Sequence, residues 1–507
     1  MAANRTGPSA RERRFVTAVV VIVAAAAMLG AWWSSRPAAA PEARRETASS
    51  AAPTPTGQPA VPKGTELDLL ALTQTQRDAQ NTALKAAGQG LAPPPLPDSR
   101  PETLLLRQWV GQAPPRPEKP AAMSEAARLG ALIFVDRSLS ASGRQSCASC
   151  HEASLGFSSP FDDATAPGGS DMMASGTRVP QPLRYAALNP EPQFTVEETP
   201  EADGGGLEAA GGFFWDGRAS SLQDQAQQPF LAANEMANRN ASEVLARLVK
   251  TPYYARLQAL YGASSMADPD QALASVGQAL MQFQLESPSF APFSSRFDDY
   301  LRGSAQLTPA QQRGLMLFNN PAKGNCIACH TSVPSANRPL PLFTDFTYDA
   351  LGVPRNPQIA ANRNPAHFDL GLCDAHPPSA GSVMNGLCGA FKVPSLRNVA
   401  VRRHFFHNGR FDNLRTVLEF YVQRDTHPER WYPRDAAGKI QLFDDLPAPY
   451  KANVNRTEVP YNRKPGQAPA LDAHEIDDLL SFLSTLTDAD LTAQAQQNLA
   501  RQGIRPQ

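Results

Sequence analysis

Cys147-Ala148-Ser149-Cys150-His151 and Cys326-Ile327-Ala328-Cys329-His330 decide how this chain folds. A C-x-x-C-H string is the attachment signature of c-type haem. Its two thiols add across the haem vinyl groups, and the adjacent imidazole becomes the proximal iron ligand. A bare C-x-x-C also reads as half a zinc site or as a redox dithiol. Zinc would need further ligands at short spacing, and a thioredoxin-like dithiol would need a βαβ context; neither accompanies either copy. The sequence therefore predicts two covalently attached haem c groups, one on Cys147, Cys150 and His151, the other on Cys326, Cys329 and His330.

The surroundings of the two motifs repeat as well. Arg128-Leu129-Gly130-Ala131-Leu132-Ile133-Phe134 leads into the first, and Arg313-Gly314-Leu315-Met316-Leu317-Phe318 into the second; each is a short amphipathic helix. The second starts cleanly, with Thr308 as N-cap, Pro309 at the first helical position and Gln311 completing a capping box. Downstream, Phe213-Phe214-Trp215-Asp216-Gly217-Arg218 is echoed by Phe405-Phe406-His407-Asn408-Gly409-Arg410. In each, the glycine permits a tight turn and a helical pattern follows, from Leu222 and from Leu414. Ile476, Leu479, Leu480 and Leu483 form the stripe of a packed closing helix. Nothing alternates convincingly at period two over any length. The fold class expected is all-α, with two tandem cytochrome c-like haem domains joined by long irregular connections.

The chain start places those domains. Arg5, Arg11, Arg13 and Arg14 precede an uncharged run from Phe15 to Trp33. Nineteen helical residues reach about 28 Å, close to the ~30 Å hydrocarbon core and long for a cleaved signal. A membrane anchor is favoured over a signal peptide, although Ala38-Ala39-Ala40 would serve as a cleavage site. The arginines stay cytoplasmic and the remainder is exported, which points to the periplasm, tethered to the inner membrane if the segment is uncleaved. The expected organisation is 1–33 signal-anchor, 34–63 Ala/Pro-rich linker, 64–119 a partly helical segment without assigned chemistry (a polar helix around Leu67–Ala87), 120–303 the N-terminal haem domain, 304–490 the C-terminal haem domain and 491–507 a tail.

A formal net charge of −1, from 47 Lys+Arg against 48 Asp+Glu, provides no basic field for nucleic acid. Of six cysteines, Cys373 and Cys388 lie outside the haem motifs. In an oxidising compartment a structural disulfide between them is expected, contributing ~3 kcal/mol on the loop-entropy account.

The duplicated turn, with Phe391-Lys392-Val393-Pro394-Ser395-Leu396-Arg397-Asn398 ahead of its second copy, resembles the bacterial di-haem cytochrome c peroxidase/MauG family. The likeness spans about residues 120–490, with insertions near 190–211 and 335–390. It implies a peroxide-reactive N-terminal haem, an electron-handling C-terminal haem and an interposed tryptophan, here Trp215. It also implies that Gln225 is the amide and Glu235 the acid–base carboxylate of a peroxide pocket. The chemistry asks for such groups: O–O heterolysis needs an open iron position, a proton carrier and a polar donor. Without the resemblance, both would read as solvated helix residues and Trp215 as core packing.

Two departures bear on the reaction. The peroxidase branch supplies a distal His from the loop after the first motif, but no histidine occurs between His151 and His330. Met172 or Met173 could ligate instead; surface positions and an open first haem are the simpler expectation. That branch also places a Met ligand fourteen residues after the His of the second turn. Tyr421 stands there, as in MauG-like proteins, and is expected to ligate the second iron, with a packed helix tyrosine as the alternative. A phenolate stabilises oxidised iron, whereas a Met/His pair raises the potential and suits collecting electrons. Met384, the only methionine after the second motif, lies between the spare cysteines. His404 and His407 are expected to bond structure or haem propionates, and His367, His376, His427 and His474 to lie in loops or at the surface.

The family's interdomain calcium site usually uses an Asn after an Arg in the first domain. The nearest match is Arg178-Val179, with Arg402 and His404 at the other, backbone-donating positions, which leaves calcium doubtful. Three functions remain open: a MauG-like oxidase acting with hydrogen peroxide on a partner protein, which Tyr421 favours; a cytochrome c peroxidase fed by a small redox protein; and a non-enzymatic di-haem electron carrier, against which Gln225, Glu235 and the missing distal His argue.

Overall fold

The computed structural model describes residues 109–115, 122–197, 206–335, 338–379 and 381–505. The expected anchor, linker and Leu67–Ala87 helix lie outside them. Among the described residues no helix is long and apolar enough to cross a membrane.

The helices in chain order are α1 Glu125–Val135, α2 Cys147–Cys150, α3 Leu222–Leu231, α4 Ala241–Leu248, α5 Tyr254–Tyr261, α6 Pro269–Glu286, α7 Arg296–Leu301, α8 Pro309–Asn319, α9 Leu372–Ala375, α10 Leu414–Gln423, α11 Ala473–Ser484 and α12 Thr492–Arg501. A 3-10 turn at Cys326–Ala328 takes in the second haem motif's first cysteine.

The sequence repeat is a repeat of packing. In the first half α1 lies against α6, and in the second α8 lies against α11. A glycine makes each approach possible: a Cβ on Gly130 would stand 2.0 Å from the Ala279 carbonyl oxygen, and one on Gly314 would stand 2.1 Å from that of Asp478. Leu129, Ile133, Phe230 and Val276 belong to the first core; Phe318, Phe343, Phe420 and Phe482 belong to the second. Each side chain so buried contributes about 1.5–3 kcal/mol. Thr308 caps α8 with Gln311 in the expected box.

The two echoed turns share a backbone conformation. Phe214 and Phe406 both have φ of 64°, Gly217 and Gly409 are likewise left-handed, and the bridges Phe213–Ala219 and Phe405–Phe411 close the turns. Ser221 and Asn413 then cap α3 and α10 through their side chains.

Among the described residues, three two-stranded antiparallel sheets qualify the all-α expectation. The longest pairs β3 Gln193–Glu197 with β4 Gly206–Ala210, inside the 190–211 insertion (β1 and β2 are Pro167–Gly168 and Ala174–Ser175). Gln193-Phe194-Thr195-Val196-Glu197 does alternate, but over five residues and with Phe194 43% exposed, so no strong apolar face announces it. β5 Tyr348–Asp349 pairs with β6 Phe391–Lys392 and ties the second insertion to the Phe391-Lys392-Val393-Pro394 stretch. Cys373 and Cys388 are disulfide-bonded.

Residues 491–507, read from the sequence as a tail, carry α12. Leu491, Ala495 and Leu499 recur at helical spacing and are buried in the second core together with Ile504. Asn498 on this helix donates to the carbonyls of Ala400 and Arg402. Just ahead of it, Asp488 and Asp490 receive Arg184 from the first half, joining the two halves. Trp109 and Ala113 also pack on the second core, so part of the 64–119 segment has a structural place.

Candidate active site

Each C-x-x-C-H motif folds into one tight turn. The amide N–H of His151 donates to the Cys147 carbonyl at 3.0 Å, and that of His330 to the Cys326 carbonyl at 2.7 Å. All four thiols are free of disulfides. Burial pushes those of Cys147, Cys150 and Cys326 up to about 12. A redox dithiol needs the opposite shift, so that reading loses its basis. Among the described residues no group of three or more His, Cys, Asp and Glu could hold a metal ion, which removes the zinc reading there.

The imidazoles are prepared alike. His151 Nδ1 meets the Phe157 carbonyl at 3.2 Å, and His330 Nδ1 meets that of Phe343 at 3.0 Å. Phe157 and Phe343 have φ of 57° and 56°, the left-handed conformation that aims each carbonyl back at its ring. With Nδ1–H donating, Nε2 carries the free lone pair that a metal needs. Burial lowers both imidazole pKa values to about 4 and keeps the rings neutral. The residues present thus fit haem c: thiols to attach it, and a neutral, oriented imidazole to ligate it.

Two separate cavities contain these residues. Cys150 and His151 share the first with Gln225 and Glu235. Gln225 projects from α3 and Glu235 from the turn that follows. Pro229, one helical turn beyond Gln225, lines the same space; it has no N–H to offer the Gln225 carbonyl. Sequence reasoning passed over Pro229, although a proline inside an otherwise helical pattern was its signal. Burial raises the Glu235 pKa against the opposing pull of Arg218. Gln145 closes another wall; its Nε2 donates to the Pro167 carbonyl while its Oε1 is buried without a partner. His151 is the only imidazole lining this cavity; Met173 is 82% exposed, and neither Met172 nor Met173 reaches the lining.

His330 shares the second cavity with Tyr421, His404 and His407, and Met384 is not part of its lining. Tyr421 sits on α10 with its ring tilted against Phe406 at 5.6 Å and Tyr461 at 6.0 Å. Burial holds its phenol well above the usual range. His407 stacks on Phe391 at 3.4 Å between centroids and is buried.

Trp215 lines both cavities, and its indole N–H donates to the Val179 carbonyl at 2.8 Å. Beside it, Arg178 bridges Asp216 at 2.5 Å and Asp369 at 2.7 Å. The amide of Lys392 donates to the Trp215 carbonyl at 2.9 Å. Lys392 and Arg402, which also line both cavities, were not assigned side-chain roles from the sequence.

Comparison with known proteins agrees with this construction. A family model described as di-haem cytochrome c peroxidase matches residues 124–306. The methylamine utilization protein MauG of Paracoccus denitrificans is 35% identical over 71% of this chain and 88% of its own length. The cytochrome c peroxidase Ccp of Escherichia coli is 28% identical over 65% of this chain and 59% of its own. The crystal structure of the diheme peroxidase BthA from Burkholderia thailandensis superposes with a TM-score of 0.65 at 37% identity, covering 76% of this chain and 95% of that one. With one haem-fitted cavity in each repeat and relatives of this extent, the chain belongs to the di-haem cytochrome c peroxidase/MauG family and is an oxidoreductase carrying two covalently attached haem c groups.

Proposed function

We propose that this protein reacts with hydrogen peroxide at the first cavity and shares the resulting oxidising equivalents with the second haem, for MauG-like oxidation of a partner protein. Haem iron with an open position supplies peroxide binding and O–O cleavage. Around it, Glu235 takes the proton from the near peroxide oxygen and returns it to the far one, while Gln225 donates a hydrogen bond that orients the molecule. Burial raises the Glu235 pKa, which suits a group that must both hold and release a proton. Trp215 lines both cavities, and Tyr421 would supply a hard anionic oxygen to an iron held by His330.

The observation that carries this reading is the pairing of linings: no imidazole but His151 in the first cavity, and Tyr421 rather than a methionine in the second. A first iron without a distal protein ligand needs no reductive activation. A phenolate-ligated second iron is suited to being oxidised, not to collecting electrons from a donor. The Cys373–Cys388 disulfide and the uncharged run near the chain start support export to the periplasm.

The test is the ferric protein as purified. Its EPR spectrum is expected to contain a high-spin signal from the first haem, and peroxide is expected to change the electronic spectrum within one mixing time. If the reaction appears only after half-reduction, a distal ligand occupies the first iron and the cytochrome c peroxidase reading replaces this one.

A further inference from the structure

The wall between the two cavities contains two cations without an acid. Arg402 lines both cavities, and its Nε is buried with no hydrogen-bond partner. One terminal nitrogen donates to the carbonyls of Ser395 and Arg397. Among the described residues no carboxylate lies within ion-pair distance of this guanidinium. Burial alone lowers its pKa, to about 10, with no acid pulling the other way. Lys392 is also buried and lines both cavities; its Nζ donates to the Gly212 carbonyl at 2.6 Å. The acid that acts on it, Asp216, is already committed to Arg178 and Arg218. Burial brings the Lys392 pKa down to about 7 despite Asp216.

Buried charge is retained only where something compensates it, since an isolated ion costs several kcal/mol to desolvate. Three other buried arginines obey that rule: Arg178 holds Asp369, Arg184 holds Asp488, and Arg397 holds Asp298. Arg402 and Lys392 depart from it at the one wall shared by both cavities. Each haem brings two propionate carboxylates, the only anions that the cofactors add.

The calcium pattern fails at the same wall. Val179, where the resemblance expects an amide, offers no side-chain ligand, and its carbonyl accepts the Trp215 indole. The carbonyl of Arg402, another expected ligand, accepts the Asn498 amide at 2.8 Å. A divalent cation placed here would also face an uncompensated guanidinium.

We propose that Arg402 and Lys392 form a built-in cationic seam that receives haem propionates from both cavities, and that this seam replaces an interdomain calcium ion. The protein then needs no calcium to hold its haems or to couple them. The seam acts through the carboxylates, so both are positioning residues, and the inference stands whether or not Tyr421 ligates iron.

Two measurements test it on the full di-haem protein. Metal analysis after gel filtration should find calcium far below one per chain, and EGTA followed by added calcium should leave EPR spectrum, haem content and thermal midpoint unchanged. Removing a positive charge beside a propionate favours the oxidised iron. Arg402→Gln should therefore lower the midpoint potentials of both haems in a spectroelectrochemical titration, and Arg402→Lys should restore most of that shift. One tightly held calcium per chain, or an EGTA effect that calcium reverses, overturns the proposal. So does an Arg402→Gln protein with both potentials unaltered. If Arg402→Gln does not load haem, the wild-type calcium result and Lys392→Met decide: Lys392→Met is expected to lower the same two potentials, and its failure to do so overturns the seam.

Discussion

Trp215 and His407, which occupy equivalent places in the two echoed turns, are joined through a single residue. The Trp215 indole donates to the carbonyl of Val179, and the amide of Val179 donates to the carbonyl of His407, each at 2.8 Å. The orientation of the indole between the cavities is therefore set by the pairing of the two halves, not by the first half alone.

Attachment is the first thing to check. Cys147→Ala and Cys326→Ala should each remove one covalent haem, so that pyridine-haemochrome analysis falls from two per chain to one. A wild-type value of one would contradict the assignment of both motifs.

Glu235→Gln should leave both haem spectra near wild type and slow the peroxide reaction by roughly 10²–10⁴, the effect of losing an acid–base group. Gln225→Leu should cost less. The wild-type rate should rise with pH through the Glu235 pKa, because the carboxylate is the proton acceptor, and burial places that limb above the ordinary carboxylate range. The limb should vanish in Glu235→Gln. Stopped-flow rates across pH 4–8 would read both effects, and unchanged kinetics in the variant would return Glu235 to a packing role.

Arg178→Ala should destabilise the protein by about 3–5 kcal/mol, because Asp369 would be left buried without its cation, while Asp216 would keep only Arg218. Burial alone would raise Asp369, but the Arg178 guanidinium holds it well below the usual carboxylate range. A depressed folded pKa gives stability that is present above the unfolded value and lost as pH falls. The wild type should thus lose stability on acidification, and the variant should lose less over the same interval. Thermal melts between pH 3 and pH 7 would show it.

Tyr421→Phe should change the spectrum and potential of the second haem if the phenol is its ligand. Tyr421→Met should raise that potential and move the protein toward ordinary peroxidase turnover with a reduced small cytochrome. A second haem indifferent to Tyr421→Phe would show that the ring only packs against Phe406 and Tyr461.

The parts of the fold legible in the sequence were those that occur twice. Gly130 and Gly314, the Phe-Phe turns and the C-x-x-C-H strings each validated the other copy, and the structure pairs α1 with α6 as it pairs α8 with α11. Elements without a counterpart were harder to see. β3 and β4 are short and leave Phe194 exposed, so periodicity had little to register. The α12 stripe of Leu491, Ala495 and Leu499 was there to be counted, but a Gln-rich, late segment reads as solvent-facing until Ile504 is seen in the core. Within the site, His151 was legible from its own motif, and Gln225 and Glu235 were brought to it only by the family resemblance. The seam could not, because Lys392 and Arg402 become unusual only through what fails to surround them.

The carbonyls of Phe157 and Phe343 carry a last consequence. Each proximal imidazole is aligned by main chain, so replacing either phenylalanine side chain leaves an oxygen still offered to Nδ1. Substitution can erode the packing there more readily than the alignment. The imidazole side of each cavity is in this sense shielded from mutation, and divergence between the two cavities is left to the rest of their linings, which include Glu235 in the first and Tyr421 in the second.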